Sequence, residues 1–329
     1  MEHTTAFMDT LKINGYIDDS ALFVSEWSDA SPYIIARTSG STGTPKPIRL
    51  LKSDMESSAR ITCDFFGITS SSLLHLPLSP SYIAGKMMIV RSIVSGAELM
   101  VEKPSNRPLA SGVERTIDLT AVVPSQIDGL LESPSVSRIN SMIIGGAAIP
   151  QSLERRLLDT PIECYATYGM TETCSHVALR RLGTDTYRAL GDVGFDIDAR
   201  GCLIIHTPHL SVGSVSTNDV VELVDSRCFR WKGRFDNVIN SGGIKIFPEE
   251  VERALGRIIT DREYYITSRS SDKWGEELVL VIEGEGDADR LVSEMASILP
   301  RYHVPKHVVF CPRLRRTYSG KIIRECPDN

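Results

Sequence analysis

One short segment in the first fifty residues carries a dense set of anion-binding groups. Residues 38–46 contain five hydroxyl side chains, two glycines and one lysine. Glycines let backbone N–H groups approach an anion closely, while hydroxyls add donors and lysine adds charge. This chemistry suits a polyphosphate and predicts as its binding residues Thr38, Ser39, Gly40, Ser41, Thr42, Gly43 and Lys46. Prolines on both sides of Lys46 exclude a Walker P-loop, and a flexible Ser/Gly loop is the alternative interpretation.

Three further segments carry polar groups whose signals are weaker when each is taken alone. In the segment 168–173, the Thr171 hydroxyl and the Glu172 carboxylate could hold phosphate and Mg²⁺, although a helix start gives the same pattern. Asp219 could accept hydrogen bonds from ribose hydroxyls, although aspartate is also common in turns. The segment 317–321 presents Lys321, which a solvated surface lysine would also explain.

The elements that must position these groups alternate between strands and helices. Helices are predicted over 53–66, begun by a capping box of Ser53 and Glu56, and over 87–94, 124–131 and 151–158. Strands are predicted at 33–36, 97–101, 119–123, 141–144 and 162–166. This alternation predicts an α/β fold with a mixed or mostly parallel sheet. Beyond Gly191, short strands at 203–206, 220–224 and 228–231 predict an antiparallel portion.

The last third of the chain has a different pattern. A helix opens at Pro248, strands follow at 264–268, 278–282 and 308–311, and a second helix is predicted at about 287–299. We therefore predict a large N-terminal domain over residues 1–236 and a small α+β domain over residues 237–329.

Composition and charge exclude several classes of protein. The chain has 329 residues, 42% of them apolar, and a net charge of −6, which disfavours nucleic acid as a partner. The seven cysteines form no C-x-x-C pair, so neither a zinc site nor a disulfide framework is indicated. The start of the chain lacks a secretory pattern, and the most apolar stretch, 87–94, is short and interrupted by Arg91. We expect a cytoplasmic protein that does not insert into a membrane.

Taken together, the motifs resemble the acyl-adenylate-forming superfamily, which includes acyl- and aryl-CoA ligases, peptide-synthetase adenylation domains and firefly luciferase. The phosphate loop, the YGMTET segment, the GRFD segment, INSGGIKIFPEEVE and the terminal SGK occur in the expected order over residues 33–324. Within the superfamily, the segments 144–150, 168–176 and 273–277 resemble o-succinylbenzoate–CoA ligases of menaquinone biosynthesis.

The resemblance implies two half-reactions. ATP and a carboxylic acid first give an acyl-adenylate and pyrophosphate, and the thiol of CoA then displaces AMP. The implied nucleotide-binding residues, besides the phosphate loop, are Gly145, Gly146, Ala147, Tyr168, Gly169, Asp219 and Arg234, with Thr171 on the α-phosphate and Glu172 on Mg²⁺. Lys321 would bridge the substrate carboxylate and the α-phosphate. Asp236 would be the hinge of a mobile C-terminal domain, and Gly242 and Gly243 would line the pantetheine tunnel.

The sequence also departs from the family pattern. Its phosphate loop begins at residue 38, whereas relatives carry a long region before it. The face of the sheet that this region covers in relatives must here be covered by the first 37 residues, buried in a dimer or exposed. We therefore expect a symmetric homodimer. Tyr82 stands where many relatives have a histidine at the aromatic gate. Because o-succinylbenzoate keeps a second carboxylate, Lys86 is our candidate to bind that group, with Ser175 and His176 in support.

Two alternatives remain open from the sequence. The chain could be a CoA ligase for another aryl or acyl acid, or a non-catalytic module that binds AMP or an acyl-adenylate. A Ser/His/Asp hydrolase is excluded because no G-x-S-x-G segment is present.

Overall fold

The computed structural model describes residues 12–16, 18–37, 47–316 and 322–327. The predicted phosphate loop, Thr38 to Lys46, and the segment 317–321 with Lys321 lie outside these described residues.

A large sheet forms the first part of the molecule. Six strands run parallel: β1 (Ile13–Gly15), β4 (Leu73–Leu76), β5 (Glu98–Val101), β6 (Ile117–Val122), β7 (Ile139–Ile144) and β8 (Glu163–Gly169). Six antiparallel strands continue it: β9 (His176–Arg181), β10 (Thr186–Ala189), β11 (Gly194–Ile197), β12 (Cys202–Thr207), β13 (Gly213–Asp225) and β14 (Cys228–Arg234). The strand order is β1-β5-β4-β6-β7-β8-β9-β10-β14-β13-β12-β11. The predicted mixed sheet with an antiparallel portion is confirmed. The antiparallel strands begin at β9, earlier in the chain than the predicted start beyond Gly191.

Helices and one hairpin complete this part. The helices are α1 (Asp18–Ser28), α2 (Lys52–Phe66), α3 (Ile83–Ser95), α4 (Ile127–Leu131) and α5 (Gln151–Leu158). The hairpin pairs β2 (Tyr33–Arg37) with β3 (Pro47–Leu51), one on each side of the predicted phosphate loop. The buried helix expected over 87–94 is confirmed as α3, in which Met87 to Val90 are at most 1% exposed. Phe23, Val24 and Trp27 of α1 are buried in the same core, so this helix covers part of the sheet.

The predicted capping box is wrong. Helix α2 begins one residue earlier, at Lys52, with Leu51 as its N-cap, and no side chain caps the first turn. Ser53 therefore lies inside the helix, where its hydroxyl cannot cap it. The segment that Pro124 opens is also divided, since a 3-10 turn at Pro124–Gln126 precedes α4.

The rest of the described chain forms a second unit with its own sheet, which we call the C-terminal unit (residues 239–316 and 322–327). Its elements are β15 (Ile239–Ser241), β16 (Ile244–Ile246), α6 (Pro248–Leu255), β17 (Tyr264–Ser271), β18 (Gly275–Glu283), α7 (Ala288–Ile298) and β19 (His307–Cys311). A separate core contains Ile246, Leu255, Leu280 and Met295. The chain passes from the large sheet to the second sheet at residues 235–238, which include the predicted hinge residue Asp236. The hinge role of that residue stays a prediction.

Helix α6 lies against strand β14 of the large sheet. Lys232 and Glu250 form an ion pair of 3.1 Å. Arg253 donates from Nη2 to the backbone carbonyl of Trp231 at 3.1 Å, and the Asn237 amide donates to Glu249. These polar contacts join the C-terminal unit to the large sheet.

All seven cysteines lie within the described residues and are free thiols. Among the described helices, none combines the length and the hydropathy needed to cross a membrane.

A mostly buried ion pair fixes the last described segment, and it yields a stability prediction. Arg324 donates to both carboxylate oxygens of Glu252, with an Nη2 to Oε2 distance of 2.7 Å, and the amide of Ile266 also donates to Glu252. We expect Arg324→Met to lower the free energy of unfolding by about 1.5–3 kcal/mol. Arg315→Met, which removes an exposed pair with Glu325, should cost less than about 1 kcal/mol. Urea denaturation that gives equal losses for both variants would contradict this difference.

Candidate active site

Gly145, Gly146 and Ala147 follow β7 and form a stretch of backbone with almost no side chains, at the edge of the sheet where the carboxyl ends of β7 and β8 lie. We call this stretch the bare backbone. The amide of Gly145 donates to the carbonyl of Val122 at 3.1 Å. A Cβ at Gly145 would lie 2.5 Å from Oγ1 of Thr167, so no larger residue fits there. Gly146 has φ +83°, a backbone conformation that favours glycine. Gly146 and Ala147 are exposed, and their contact with an adenine ring stays a prediction.

A tightly held turn follows β8. Thr173 Oγ1 lies 3.0 and 2.8 Å from the carbonyls of Met170 and Ser175, which share its one proton, and it accepts from the amide of Met170. A Cβ at Gly169 would lie 2.3 Å from the carbonyl oxygen of Ser175, so the turn closes directly over this glycine. The turn exposes Glu172 and leaves Thr171 partly exposed, and no ion pair to another described residue holds the Glu172 carboxylate.

The donor set at this turn fits Mg²⁺ better than a metal with an all-protein coordination shell. No cluster of three or more His, Cys, Asp or Glu side chains that could hold a metal occurs in the described part of the chain. Mg²⁺ is commonly bound through one or two carboxylates together with substrate phosphates. A single exposed carboxylate such as Glu172 meets that requirement.

Three of the predicted nucleotide-binding residues meet in one cluster. Tyr168 donates its hydroxyl to Oδ2 of Asp219 at 2.8 Å, and Arg234 Nη1 lies 3.7 Å from Oδ1. Burial, together with the Asp219 charge, raises the pKa of Tyr168 well above its ordinary value, so the phenol stays protonated and keeps donating. Arg234 also contacts Asp236 at 3.3 Å. The sequence missed Trp231, whose indole Nε1 donates to Oδ1 of Asp219 at 3.1 Å.

A second polar cluster lies behind the turn, around a buried arginine. Arg91 on α3 is 2% exposed and donates from Nη2 to the Ser175 hydroxyl at 2.7 Å. Its Nε is buried without a hydrogen-bond partner, and no carboxylate of the described residues pairs with it. Burial lowers the pKa of Arg91 to about 10, so the guanidinium is still charged at neutral pH. In the sequence, the one signal for Arg91 is that it interrupts the apolar stretch 87–94.

His176 continues the cluster. Its Nε2 lies 3.2 Å from Oγ1 of Thr62, and its Nδ1 lies 3.4 Å from the Ser175 hydroxyl. Thr62 donates its own hydroxyl to the carbonyl of Ser58, so it accepts from His176, which places the ring proton on Nε2. Ser175 accepts from Arg91 and can therefore donate to Nδ1.

This geometry makes a prediction about the His176 ring. Burial and the nearby Arg91 charge lower the pKa of His176 well below its ordinary value. We expect a neutral Nε2–H ring at neutral pH and a loss of stability as the pH falls below about 6.5, where histidine in the unfolded chain takes up a proton. Nitrogen NMR of the ring measures both the tautomer and the titration. A ring that titrates near pH 6.5 would contradict this assignment.

Lys86 and Tyr82, the other candidates for the acid site, lie elsewhere on α3. Lys86 forms a 3.1 Å ion pair with Glu26, and its Nζ lies 4.2 Å from the centre of the Phe23 ring. Its charge is therefore already balanced within the protein. Tyr82 is the N-cap of α3 and is 49% exposed. The geometry favours Arg91 over Lys86 as the cation next to Ser175 and His176.

In the C-terminal unit, Gly242 and Gly243 form the tight turn between β15 and β16. Their φ values are +59° and +84°. The amide of Gly242 donates to the carbonyl of Trp274 at 2.8 Å, and a Cβ at Gly242 would lie 2.7 Å from the indole ring. A Cβ at Gly243 would have no atom within 4 Å. Gly243 therefore borders open space, and its place beside the pantetheine path stays a prediction.

Comparisons with known proteins agree with this geometry. Indoleacetate–CoA ligase of Aromatoleum aromaticum is 26% identical, over 90% of this chain and 66% of its own length. A 2-succinylbenzoate–CoA ligase of Listeria monocytogenes is 25% identical, over 91% of this chain and 70% of its own. The chain thus spans about two thirds of the length of these curated relatives, and their names agree with the predicted enzyme class.

Solved structures resemble the fold as well. An acyl-CoA synthetase (AMP-forming)/AMP-acid ligase II-like protein from Dyadobacter fermentans is 34% identical, with a TM-score of 0.64 and coverage of 94% of this chain and 92% of that one. An o-succinylbenzoate CoA synthetase from Bacillus subtilis, in complex with its acyl-adenylate intermediate, has the same fold at 20% identity, with a TM-score of 0.78 over 98% of this chain and 80% of that one. The profile of the AMP-binding enzyme family matches residues 6–207, and the chain belongs to that family.

Proposed function

We propose that this protein is an ATP-dependent acid–CoA ligase that works through an acyl-adenylate. The observation that carries the proposal is the cluster of Tyr168, Asp219 and Arg234 at the same sheet edge as the bare backbone at Gly145. A buried, oriented carboxylate beside an exposed glycine edge suits a nucleoside, whose ribose donates hydroxyls while its base lies flat. Family membership and the names of the relatives support the same activity.

The first half-reaction joins two anions, so the site must supply positive charge where they meet. In our proposal Asp219 and Arg234 hold the ribose, and Thr171 donates to the α-phosphate. Glu172 holds Mg²⁺, which neutralises part of the phosphate charge when bound. The predicted phosphate loop and Lys321 add the remaining donors. In the second half-reaction, Gly242 and Gly243 border the path of the CoA thiol.

We further propose o-succinylbenzoate as the acid. Several curated relatives carry that name, and the Arg91 cluster supplies a physical reason for a second carboxylate. A buried charge with no carboxylate partner among the described residues is costly, and an anionic group of the substrate would balance it. The relative named for indoleacetate, which has no second carboxylate, keeps another aryl acid as the second candidate.

A pyrophosphate-release assay with a set of aryl acids, with and without CoA, tests this proposal. We expect pyrophosphate with ATP and o-succinylbenzoate, and a thioester after CoA is added. Pyrophosphate release with a different acid would support the ligase activity and would replace o-succinylbenzoate as the proposed substrate. Binding of AMP without any pyrophosphate release would instead indicate a non-catalytic module and would contradict the ligase proposal.

A further inference from the structure

Trp231 contacts the carboxylate that the proposed function assigns to the ribose. Its indole Nε1 donates to Oδ1 of Asp219 at 3.1 Å. We propose that Trp231 is a positioning residue that fixes the orientation of Asp219 for the ribose hydroxyls. This inference rests on the proposed nucleotide site and adds to it a residue that does not itself touch the ligand.

The strand pairing explains why the indole reaches Asp219. Asp219 pairs with Arg234 and Val220 with Gly233, but Val221 pairs with Trp231, so Lys232 is an extra residue in β14. Residues an odd number apart normally point to opposite faces of a sheet. This β-bulge shifts the alternation by one residue, so Trp231 and Arg234, three apart, both face Asp219.

The remaining hydrogen-bonding capacity of Asp219 matches two hydroxyls. A carboxylate has about four lone-pair sites. Tyr168 uses one on Oδ2 and Trp231 uses one on Oδ1. The carboxylate is therefore held from both ends, and each oxygen keeps one further hydrogen-bonding site, with Arg234 Nη1 beyond hydrogen-bond distance at 3.7 Å from Oδ1. Asp219 is only 9% exposed, so these sites can accept from a ligand in a fixed direction. Without the indole N–H, Oδ1 would lose its hydrogen-bonding anchor.

The experiment compares AMP with 2′,3′-dideoxy-AMP, which lacks both hydroxyls. Binding of each nucleotide is measured by calorimetry for the wild type and for Trp231→Phe, which keeps an aromatic ring and removes the donor. We expect Trp231→Phe to weaken AMP binding by about 5- to 30-fold. Its affinity for the dideoxy nucleotide should stay within about twofold of the wild type, because no ribose hydroxyl then reaches Asp219.

Matched variants separate positioning from packing. Trp27→Phe makes the same substitution on the buried face of α1, outside the Asp219 cluster, and should leave both affinities unchanged. Trp231→Leu also removes the donor and adds no hydroxyl that could replace it. It should repeat the Trp231→Phe result, which also covers the case that the phenylalanine variant does not fold. Equal weakening of both nucleotides, or no weakening of either, overturns the role of Trp231.

The wild-type protein distinguishes the remaining outcomes. If it binds neither nucleotide, the proposed nucleotide site is wrong, and the inference fails with it. If it binds both equally well, Asp219 does not contact the ribose, which overturns the inference and the role of Asp219 in the proposed site. Pyrophosphate release then tests the ligase activity separately.

Discussion

Replacing Lys321 by alanine is expected to slow acyl-adenylate formation by about 10²–10³-fold, the usual effect of losing one preorganised charge donor. Lys321 acts, in our proposal, only where the substrate carboxylate and the α-phosphate meet. Thioester formation from a supplied acyl-adenylate should therefore stay nearly intact. Pyrophosphate release measures the first half-reaction, and synthetic o-succinylbenzoyl-AMP with CoA measures the second. Equal loss of both half-reactions, with the fold intact, would contradict separate roles for the two steps.

Gly243→Leu provides the reciprocal variant for this experiment. It should block entry of the thiol while pyrophosphate release continues. Because Gly243 has φ +84°, any side chain there adds backbone strain. Gly243→Ala is the matched control, since it adds the same strain with little bulk into the open space beside it. Gly242 is a poorer choice, because a side chain there would strike Trp274.

Replacing Arg91 by methionine should weaken binding of o-succinylbenzoate by about 2–5 kcal/mol, or roughly 30-fold or more. The reason is that the buried guanidinium has no carboxylate partner among the described residues and would be the main cation for the second carboxylate. The free energy of unfolding should not fall, because removing an unpaired buried charge also removes its desolvation cost. Substrate dependence of pyrophosphate release and urea denaturation measure the two effects.

Two controls make this prediction specific. An analogue of o-succinylbenzoate without the ring carboxylate should respond little to Arg91→Met. Lys86→Met, which removes the partner of Glu26, should leave the affinity for the diacid unchanged. If Lys86→Met has the larger effect, the original assignment of Lys86 is correct and that of Arg91 is wrong.

Local patterns in the sequence predicted most of the fold. Helix α5 has the predicted bounds, and α6 begins at the predicted Pro248, because periodicity and proline placement act within a few residues. The failure at Ser53 is also local, since the chain continued the helix back to Lys52 in spite of the capping-box pattern.

The site was harder to predict because its contacts are distant in sequence. Glu26 pairs with Lys86 from 60 positions away, and Ser175 reaches Arg91 from 84 positions away. Neither relation leaves a local pattern. Trp231 was missed for another reason: a one-residue bulge decides which face its side chain occupies, and the alternation of β14 in the sequence does not show it.

The contact between α6 and β14 has a consequence for the energetics of turnover. Each apolar core of the described chain lies wholly on one side of residues 235–238, and ion pairs and hydrogen bonds join the two sides. Such groups exchange their protein partners for water at little net change in free energy, typically below about 1 kcal/mol for an exposed pair. Separating α6 from β14 would expose little apolar surface and would become easier at high ionic strength. A charged ligand that binds beside this contact would then shift the balance between joined and separated surfaces.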